Sequence, residues 1–398
     1  MADQFTEVTN VGCFERLKEA FAGVVTGFVV LVICCGVLLW NEGRAVETER
    51  ALDEGAGVVI TVSPDTVNPA NDKKLVHMTG DAKTTGTISD STFGVTLNAL
   101  KLKRTAELYQ WKENKKTEEH AKGGGSSQRV TTYSYDKVWS ETLNSSSSFS
   151  KQEGHTNPAS MLYTGKTFTA AKATLGAFTL SQGLMNNLNE YQPLPVTADM
   201  LAKLPSGLQG KTRVSDEKFY IGTDPASPQV GDYRIGFQSI IPQTVSIVAR
   251  QAGNSFEAYT ASSGGKVELI KVGSHSAAEM IQTAKKENEM LTWAIRFAML
   301  IFIFFSLMMI ARPFSVAASV IPILGDLMSM GSAFFAVIGA IGITFTVIAI
   351  GWLWFRPWVS IPLILLAVAI TIGAWLLLKR RRQAKAAAAV PPAQPPPA

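Results

Sequence analysis

Residues 38–55 read LLWNEGRAVETERALDEG, and the way the chain leaves Leu38, Leu39 and Trp40 decides the architecture. An apolar run that begins near residue 22 stops at Trp40, and Asn41, Glu42, Gly43 and Arg44 follow at once. Read as an exit, the stretch predicts a turn shaped by Asn41 and Gly43, then a strand pattern over 44–62. An apolar helix that ends on tryptophan at a polar boundary is a membrane span with an interfacial anchor.

Three more runs of the same kind follow, at 292–311, 332–355 and 358–378. Each run, like 22–40, has the roughly 18–24 residues that a helix rising about 1.5 Å per residue needs to cross about 30 Å of hydrocarbon. Four spans are expected. No small-residue cleavage site follows the first, which argues against a removed signal peptide. Residues 41–291 carry most of the charge and hold no run long enough to cross. The expectation is an α+β membrane protein: four transmembrane helices, with a large β-rich exoplasmic domain at 41–291 inserted between helices 1 and 2. The 46% hydrophobic content of the 398 residues suits such a mixed chain.

Charge gives the orientation. The tail at 379–398 holds Lys379, Arg380, Arg381, Arg382 and Lys385 and no acid, so by the positive-inside rule it is cytoplasmic. Four spans return 1–21 to the same side and place 41–291 outside, in a periplasm or a lumen. Trp40, Trp293, Trp352, Trp354 and Trp358 then fall at the outer interface as an aromatic belt, with Trp375 near the inner one. Residues 312–331 form a cytoplasmic loop too apolar to float free. Pro322 is expected to open a short interfacial helix through Met330, with Ile323, Leu327 and Met330 turned to lipid; a re-entrant turn is the rival.

Within 41–291, strand patterns fall at 44–62, 73–79, 93–111, 130–143, 232–239, 244–250, 255–260 and 266–272. Residues 112–127, KENKKTEEHAKGGGSS, read as a solvated hairpin tip without a function. Residues 167–190 and 196–204 read as helical, and 276–290 as a Ser-capped helix feeding span two. Tyr109 and Trp111 share one strand face, as do Tyr133, Tyr135 and Trp139, which predicts one aromatic seam, with core packing ahead of a binding platform.

Little in the chain resembles catalytic machinery. His77, His120, His155 and His275 are scattered without ligand spacing, and no P-loop, G-x-S-x-G or H-E-x-x-H occurs, so no metal, no cofactor and no enzymatic activity are expected. Cys13, Cys34 and Cys35 all lie in or before span one, which excludes a disulfide in the outer domain. Glu107 and Glu141 have no evident partner, and Asn144-Ser145-Ser146 is a glycosylation acceptor only if the outside is an ER lumen.

WNEGRAV at 40–46, RTAELYQW at 104–111, TYSYDKVW at 132–139, GHTNPASM at 154–161, VGDYRI at 230–235, VARQAG at 248–253 and GWLWFRP at 351–357 stand in an order that resembles the transmembrane protein 43 family, also called LUMA. The resemblance runs from about residue 10 to 378. It implies a multi-span membrane protein. For a nuclear-envelope member it also implies an inner nuclear membrane or ER location, with lamin and emerin as partners. The thiol-free outer segment and the Ala/Pro-rich tail favour a bacterial inner membrane with a periplasmic domain over that alternative.

The function expected is a non-enzymatic membrane organiser or scaffold that self-associates and maintains membrane or envelope structure; the alternative is a ligand-sensing receptor or a transporter-like protein. Its partners are membrane lipids, further copies of the chain and other membrane proteins, not nucleic acid. Small-xxx-small pairs at Gly23 and Gly27 and at Ala369 and Gly373 are candidates for helix packing between protomers. Glu42, Arg44, Arg296 and Arg356 fall at one depth. They are read as an interfacial ionic cluster in which Glu42 accepts hydrogen bonds from Arg296 or Arg356.

Overall fold

The computed structural model describes residues 3–122, 126–318, 322–362 and 365. The chain divides into two compact units: one takes Met1–Phe21, Glu47–Glu289 and Pro313–Ser329, the other Ala22–Val46, Met290–Arg312 and Met330–Ala398. The principal elements are β1 (Asp3–Val11), α1 (Cys13–Val58), β2 (Leu75–Thr84), β3 (Lys101–Ala121), β4 (Ser127–Ser140), β5 (Lys218–Ile221), β6 (Tyr233–Ile240), β7 (Gln243–Ala252), α2 (Ala277–Ala318) and α3 (Pro322–Phe355).

The first unit is built on two sheets. One has eight strands in the order β1, β4, β3, β6, β5 and Thr212–Ser215, with Gln192–Leu194 added to β6 and Lys166–Thr169 to β3. Along β3 the period of two is explicit: Leu102, Arg104, Ala106, Leu108 and Gln110 are buried and the residues between them half-exposed. The buried face packs on Phe93, Phe219, Ile235 and Phe237. A hairpin of Ile88–Asp90 and Val95–Leu97 supplies Phe93 and also Asp90. Both oxygens of the Asp90 carboxylate accept from Arg104 Nη1, at 2.9 and 2.7 Å.

The second sheet has seven strands, centred on β2 and β7. TVSIVA in β7 is buried almost without interruption because both its faces are covered. Val245, Ile247 and Ala249 pack with Val76, Met78 and Leu175. Val248 joins Leu75, Ala51 and Leu52 of α1, and Met280 and Ile281 of α2. Helical residues outside the apolar runs are therefore held by the sheet.

That packing corrects the reading of residues 38–55. The chain does not leave the helix at Trp40: α1 continues to Val58, and only Ile60–Thr61 of the expected 44–62 strand is extended. Buried positions recur at Leu38, Asn41, Glu42, Ala45, Val46, Ala51, Leu52 and Gly55, a helical rather than a strand period. Glu, Arg, Ala and Leu dominate the stretch and all favour helix. Gly43 shapes no turn; a Cβ there would stand 2.8 Å from the Phe355 ring.

Residues 112–127 are not a slack tip either. β3 runs to Ala121 and β4 starts at Ser127, paired over fourteen positions from Leu108↔Ser140 to Ala121↔Ser127. β1 then pairs with β4 from Asp3↔Tyr135 to Val11↔Ser127. Ion pairs reinforce the join: Arg16 Nε to Glu119 Oε1 at 2.9 Å, and Arg129 Nη2 to Glu19 Oε2 at 2.6 Å. Hydrogen-bonded strands share a compartment. A cytoplasmic 1–21 and an exoplasmic 41–291 do not, so this arrangement departs from the assignment of those two segments to opposite sides. The signal in the sequence was the four β-branched residues of DQFTEVTNV.

Other boundaries move as well. Of the expected helical stretches, 167–190 keeps only Gln182–Asn187 as α-helix and 196–204 becomes the 3-10 turn Ala198–Lys203. The Ser276 cap does start α2: Glu279 N–H donates to Ser276 Oγ and Ser276 N–H to Glu279 Oε2. The 312–331 loop is largely helical. α2 carries on past Pro313 to Ala318, and Pro322 opens the whole of α3 rather than a short interfacial helix.

In the second unit Cys34, Leu38, Ile303, Ala340 and Val347 form the core of three helices. α1 and α2 are antiparallel, since Glu42 meets Arg296 while Gly27 meets Ser306 and Met309. Val25, Phe28, Phe297, Phe302, Phe335 and Phe345 point outward and exposed, as lipid-facing side chains do. Among the described residues, Cys13–Val58, Ala277–Ala317 and Gly331–Phe355 are long and apolar enough to cross a membrane. Of the fourth expected span, 358–362 and 365 are helical. The rest of it, with Ala369, Gly373 and Trp375, and the 379–398 tail lie outside the described residues.

Candidate functional site

One helical turn beyond the Cys34 and Leu38 core, the same face of α1 presents Asn41 and Glu42, an amide and a carboxylate on a face that was apolar until then. Glu42 is 1% exposed. Its Oε1 accepts from Arg296 Nε at 2.7 Å, and its Oε2 from Arg296 Nη2 at 2.7 Å and from the Trp352 indole Nε1–H at 2.9 Å. The fork of the guanidinium matches both carboxylate oxygens, the strongest form of a charge-assisted hydrogen bond. Trp293, one turn before Arg296 on α2, sets its ring 4.7 Å from the guanidinium carbon. Gly351 makes the space: a Cβ there would meet Glu42 Cγ at 3.0 Å.

A second set of bonds flanks the first. Asn41 Nδ2 donates to the Thr292 carbonyl at 3.3 Å, and Arg44 Nη2 donates to Asn41 Oδ1 at 3.1 Å and Thr292 Oγ1 at 3.0 Å. Thr292 and Arg296 are four apart on α2, as Asn41 and Arg44 are three apart on α1, so each helix supplies one turn of polar side chains to one layer. Arg356, the other partner considered for Glu42, stands just past the end of α3 with its backbone N–H on the Trp352 carbonyl, while Arg296 and Trp352 take the carboxylate. Counting depth along the apolar runs grouped Glu42, Arg44, Arg296 and Arg356; the structure joins Glu42 to Arg296 and sets Arg44 on Asn41 and Thr292. The count missed Asn41, Thr292 and Trp352 as bonding groups, because an indole at an interface reads as an anchor whether or not its N–H has a partner.

Trp352 is thus drawn inward from the expected belt, whereas Trp40, Trp293, Trp354 and Trp358 are all more than half exposed. Gly27 packs within the chain. Its absent Cβ would lie 2.7 Å from the Ser306 carbonyl oxygen and 3.0 Å from Ile310 Cγ1, and that of Gly23 3.9 Å from the Met309 carbonyl. This seats α1 on α2 of the same protomer, where the sequence reading placed the pair between protomers. Gly27→Leu is accordingly expected to destabilise the monomer by about 1–3 kcal/mol through overpacking, read as a lower melting temperature in detergent. An unchanged melting temperature with fewer cross-linked oligomers would return Gly27 to an intermolecular role.

The sequence-derived aromatic seam exists in the first unit, but on the outer face of β3 and β4 and roofed by the 144–158 segment. Tyr109 and Trp139 are register partners with ring centroids 4.9 Å apart. His155 stacks on Tyr135 at 3.8 Å and meets Trp111 edge-on at 4.7 Å. The Asn157 side chain imitates a strand for Trp111, accepting from its N–H at 2.7 Å and donating to its C=O at 2.8 Å. Tyr135 donates to Glu113 Oε2 at 2.6 Å; burial first, and this carboxylate second, push its hydroxyl up to about 12. Asn144, the possible glycan acceptor, is half-buried with its Nδ2 on the Trp111 carbonyl at 3.3 Å.

The remaining polar candidates are occupied structurally. His77 Nε2 bonds the His275 carbonyl at 2.8 Å, and Glu107 takes Lys218 Nζ at 2.9 Å. Among the described residues no group of three or more His, Cys, Asp or Glu side chains converges as a metal site would.

Comparison with known proteins converges on one family. The family model described as Transmembrane protein 43 matches residues 108–357, a stretch that includes Trp293, Arg296, Trp352 and Arg356. Transmembrane protein 43 of Rattus norvegicus is 34% identical over 359 residues, 87% of this chain and 88% of the rat protein. The Homo sapiens protein of that name is 32% identical over 359 residues, with the same coverage of 87% and 88%. The Transmembrane protein 43 homolog of Drosophila melanogaster is 26% identical over 368 residues, 88% of this chain and 93% of the fly protein. No solved structure matches the chain. A match that spans most of both chains, and a family model that covers the aromatic seam and two of the three helices around Glu42, place this chain in the transmembrane protein 43 family.

Proposed function

We propose that the protein is a non-enzymatic membrane organiser that associates with further copies of itself and maintains membrane or envelope structure. The observation that supports this is the free side of β1. β1 is the terminal strand of the eight-stranded sheet. DQFTEVTNV carries no Pro, Lys or Arg to discourage edge pairing, and Phe5 and Val8 are 41% and 53% exposed. A nine-residue edge left unpaired among the described residues invites a strand from a second copy. The compartment that suits the absence of cysteine after residue 35 is a bacterial inner membrane, ahead of the ER or inner nuclear membrane. Native mass spectrometry of the detergent-purified protein tests the association. A homomer is expected, converted to monomer in Phe5→Lys/Val8→Lys. A wild-type monomer overturns the proposal, and a homomer that survives both charges overturns the edge as its basis.

Pairing of β1 with β4 is itself open to measurement. Thr6 and Thr132 are register partners, so Thr6→Cys/Thr132→Cys is expected to form a disulfide in native membranes under mild oxidant, read as a mobility shift reversed by reductant. Cysteines that stay reduced there but react with maleimide from opposite sides of the membrane would restore the topology expected from the four apolar runs.

A further inference from the structure

Beside the Glu42 pair the second unit contains a cavity of about 240 Å³, walled by Trp293 and Arg296 of α2 and by Phe345, Ile348, Ala349 and Trp352 of α3. Its walls are largely aromatic and aliphatic, and the polar groups on them are engaged: Arg296 and Trp352 donate to Glu42, and Ser360, which also lines it, donates its Oγ–H to the Trp352 carbonyl at 3.2 Å. The site opens outward, Trp293 and Phe345 being more than half exposed, and water needs two to four polar partners to stay in such a place. The volume is below that of a typical small-molecule pocket of about 300–1,000 Å³, and it suits a length of hydrocarbon chain. Around it the charge is unbalanced. Arg44, Arg296 and Arg356 stand in this layer against the one carboxylate of Glu42, and no other charged residue falls within 22–46, 290–311 or 332–362. Arg296 spends Nε and Nη2 on Glu42, which leaves Nη1 outside the pair.

We propose that this cavity is a lipid site, holding an acyl chain of an anionic glycerophospholipid drawn from the surrounding bilayer, with the headgroup phosphate against the arginine layer. Apolar walls take the chain; the excess positive charge selects the headgroup, as basic pockets between transmembrane helices do. The ion pair gains a role from this. By fixing Arg296 and Trp352 to one carboxylate, Glu42 holds two walls of the site in place. The inference stands apart from self-association, since every residue it uses lies within one protomer.

The test is native mass spectrometry of the full-length protein, delipidated in detergent and offered equal amounts of phosphatidylglycerol and phosphatidylcholine. Retained phosphatidylglycerol is expected to exceed phosphatidylcholine about fivefold or more, roughly what one basic side chain contributes near an anionic headgroup. Ala349→Phe, which fills the cavity, is expected to remove that preference. Ile348→Trp fills it from an adjacent position and decides the matter should the first variant fail to fold, and Phe335→Ala, at an exposed position elsewhere on α3, is expected to change nothing. Equal retention of the two lipids by the wild type overturns the headgroup assignment. Undiminished preference in a folded cavity-filling variant overturns the site.

Discussion

Glu42→Gln and Arg296→Gln are each expected to destabilise the detergent-purified protein by about 3–5 kcal/mol, because either change leaves a buried group without the charge that neutralised it. For a chain of this size that is a fall in melting temperature of about 4–6 °C. The double variant is expected to lose little more than either single one, since with both charges gone nothing is stranded. The argument rests on burial: the Glu42 side chain is 1% exposed and that of Arg296 12%, so solvent screens neither. Trp352→Phe deletes a donor to the carboxylate and the five-membered part of the indole while keeping an aromatic ring, so a loss of about 1.5–3 kcal/mol is expected. Simple additivity of the two single losses would mean that Glu42 and Arg296 are energetically independent, and the layer would then be an interfacial anchor only.

How the sequence disclosed this pair, and what it hid, follows from the kind of signal each element leaves. Apolar runs of bilayer length are conspicuous, so the positions of α1, α2 and α3 were legible, and a charge near the end of each could be assigned a depth. The continuation of α1 past Trp40 was not. A helix that changes from lipid contact to protein contact shows a break in composition there, and that break mimics a terminus; only the burial of Ala45, Val46, Ala51 and Leu52 reveals the unbroken helical period. The long β strands were legible either from alternation, as in β4, or from an unbroken run rich in β-branched residues, as in β7. Short ones such as Ala173–Leu175 and Phe178–Thr179 carry too few residues to show a period and were taken for helix. β1 was passed over because a strand that pairs with β4, more than a hundred residues away, leaves no local mark of its partner. Glu119 was read as part of a solvated hairpin tip for the same reason, since its partner Arg16 is as distant in sequence.

Asp90 and Arg104 extend that lesson to the largest effect expected in the first unit. Nothing in ISDSTFG announces a buried carboxylate, yet Asp90 and Arg104 have side chains 1% and 7% exposed. Arg104 is held on three sides: Nη1 by both Asp90 oxygens, Nε by the Thr164 carbonyl at 2.9 Å, and the guanidinium plane by Phe93 at 5.2 Å. Asp90 also orders its own hairpin turn, accepting from Thr92 N–H at 3.0 Å. Asp90→Ala therefore strands a guanidinium beside the Phe93, Phe219 and Phe237 cluster and frees the turn that positions Phe93. A loss of about 3–5 kcal/mol is expected, with the 88–97 hairpin opening first and becoming the earliest site of proteolysis. The two contributions separate in a second variant. Asp90→Asn keeps an acceptor for Thr92 N–H and removes only the charge, so whatever stability it recovers over Asp90→Ala belongs to the turn. Adding Arg104→Met to Asp90→Ala removes the stranded charge and is expected to restore part of the loss, read by thermal melting of the full chain in detergent. A double variant that is less stable than Asp90→Ala by the full cost of Arg104→Met alone would show that the two side chains do not depend on each other, and that Arg104 is held by Thr164 and Phe93 without the carboxylate.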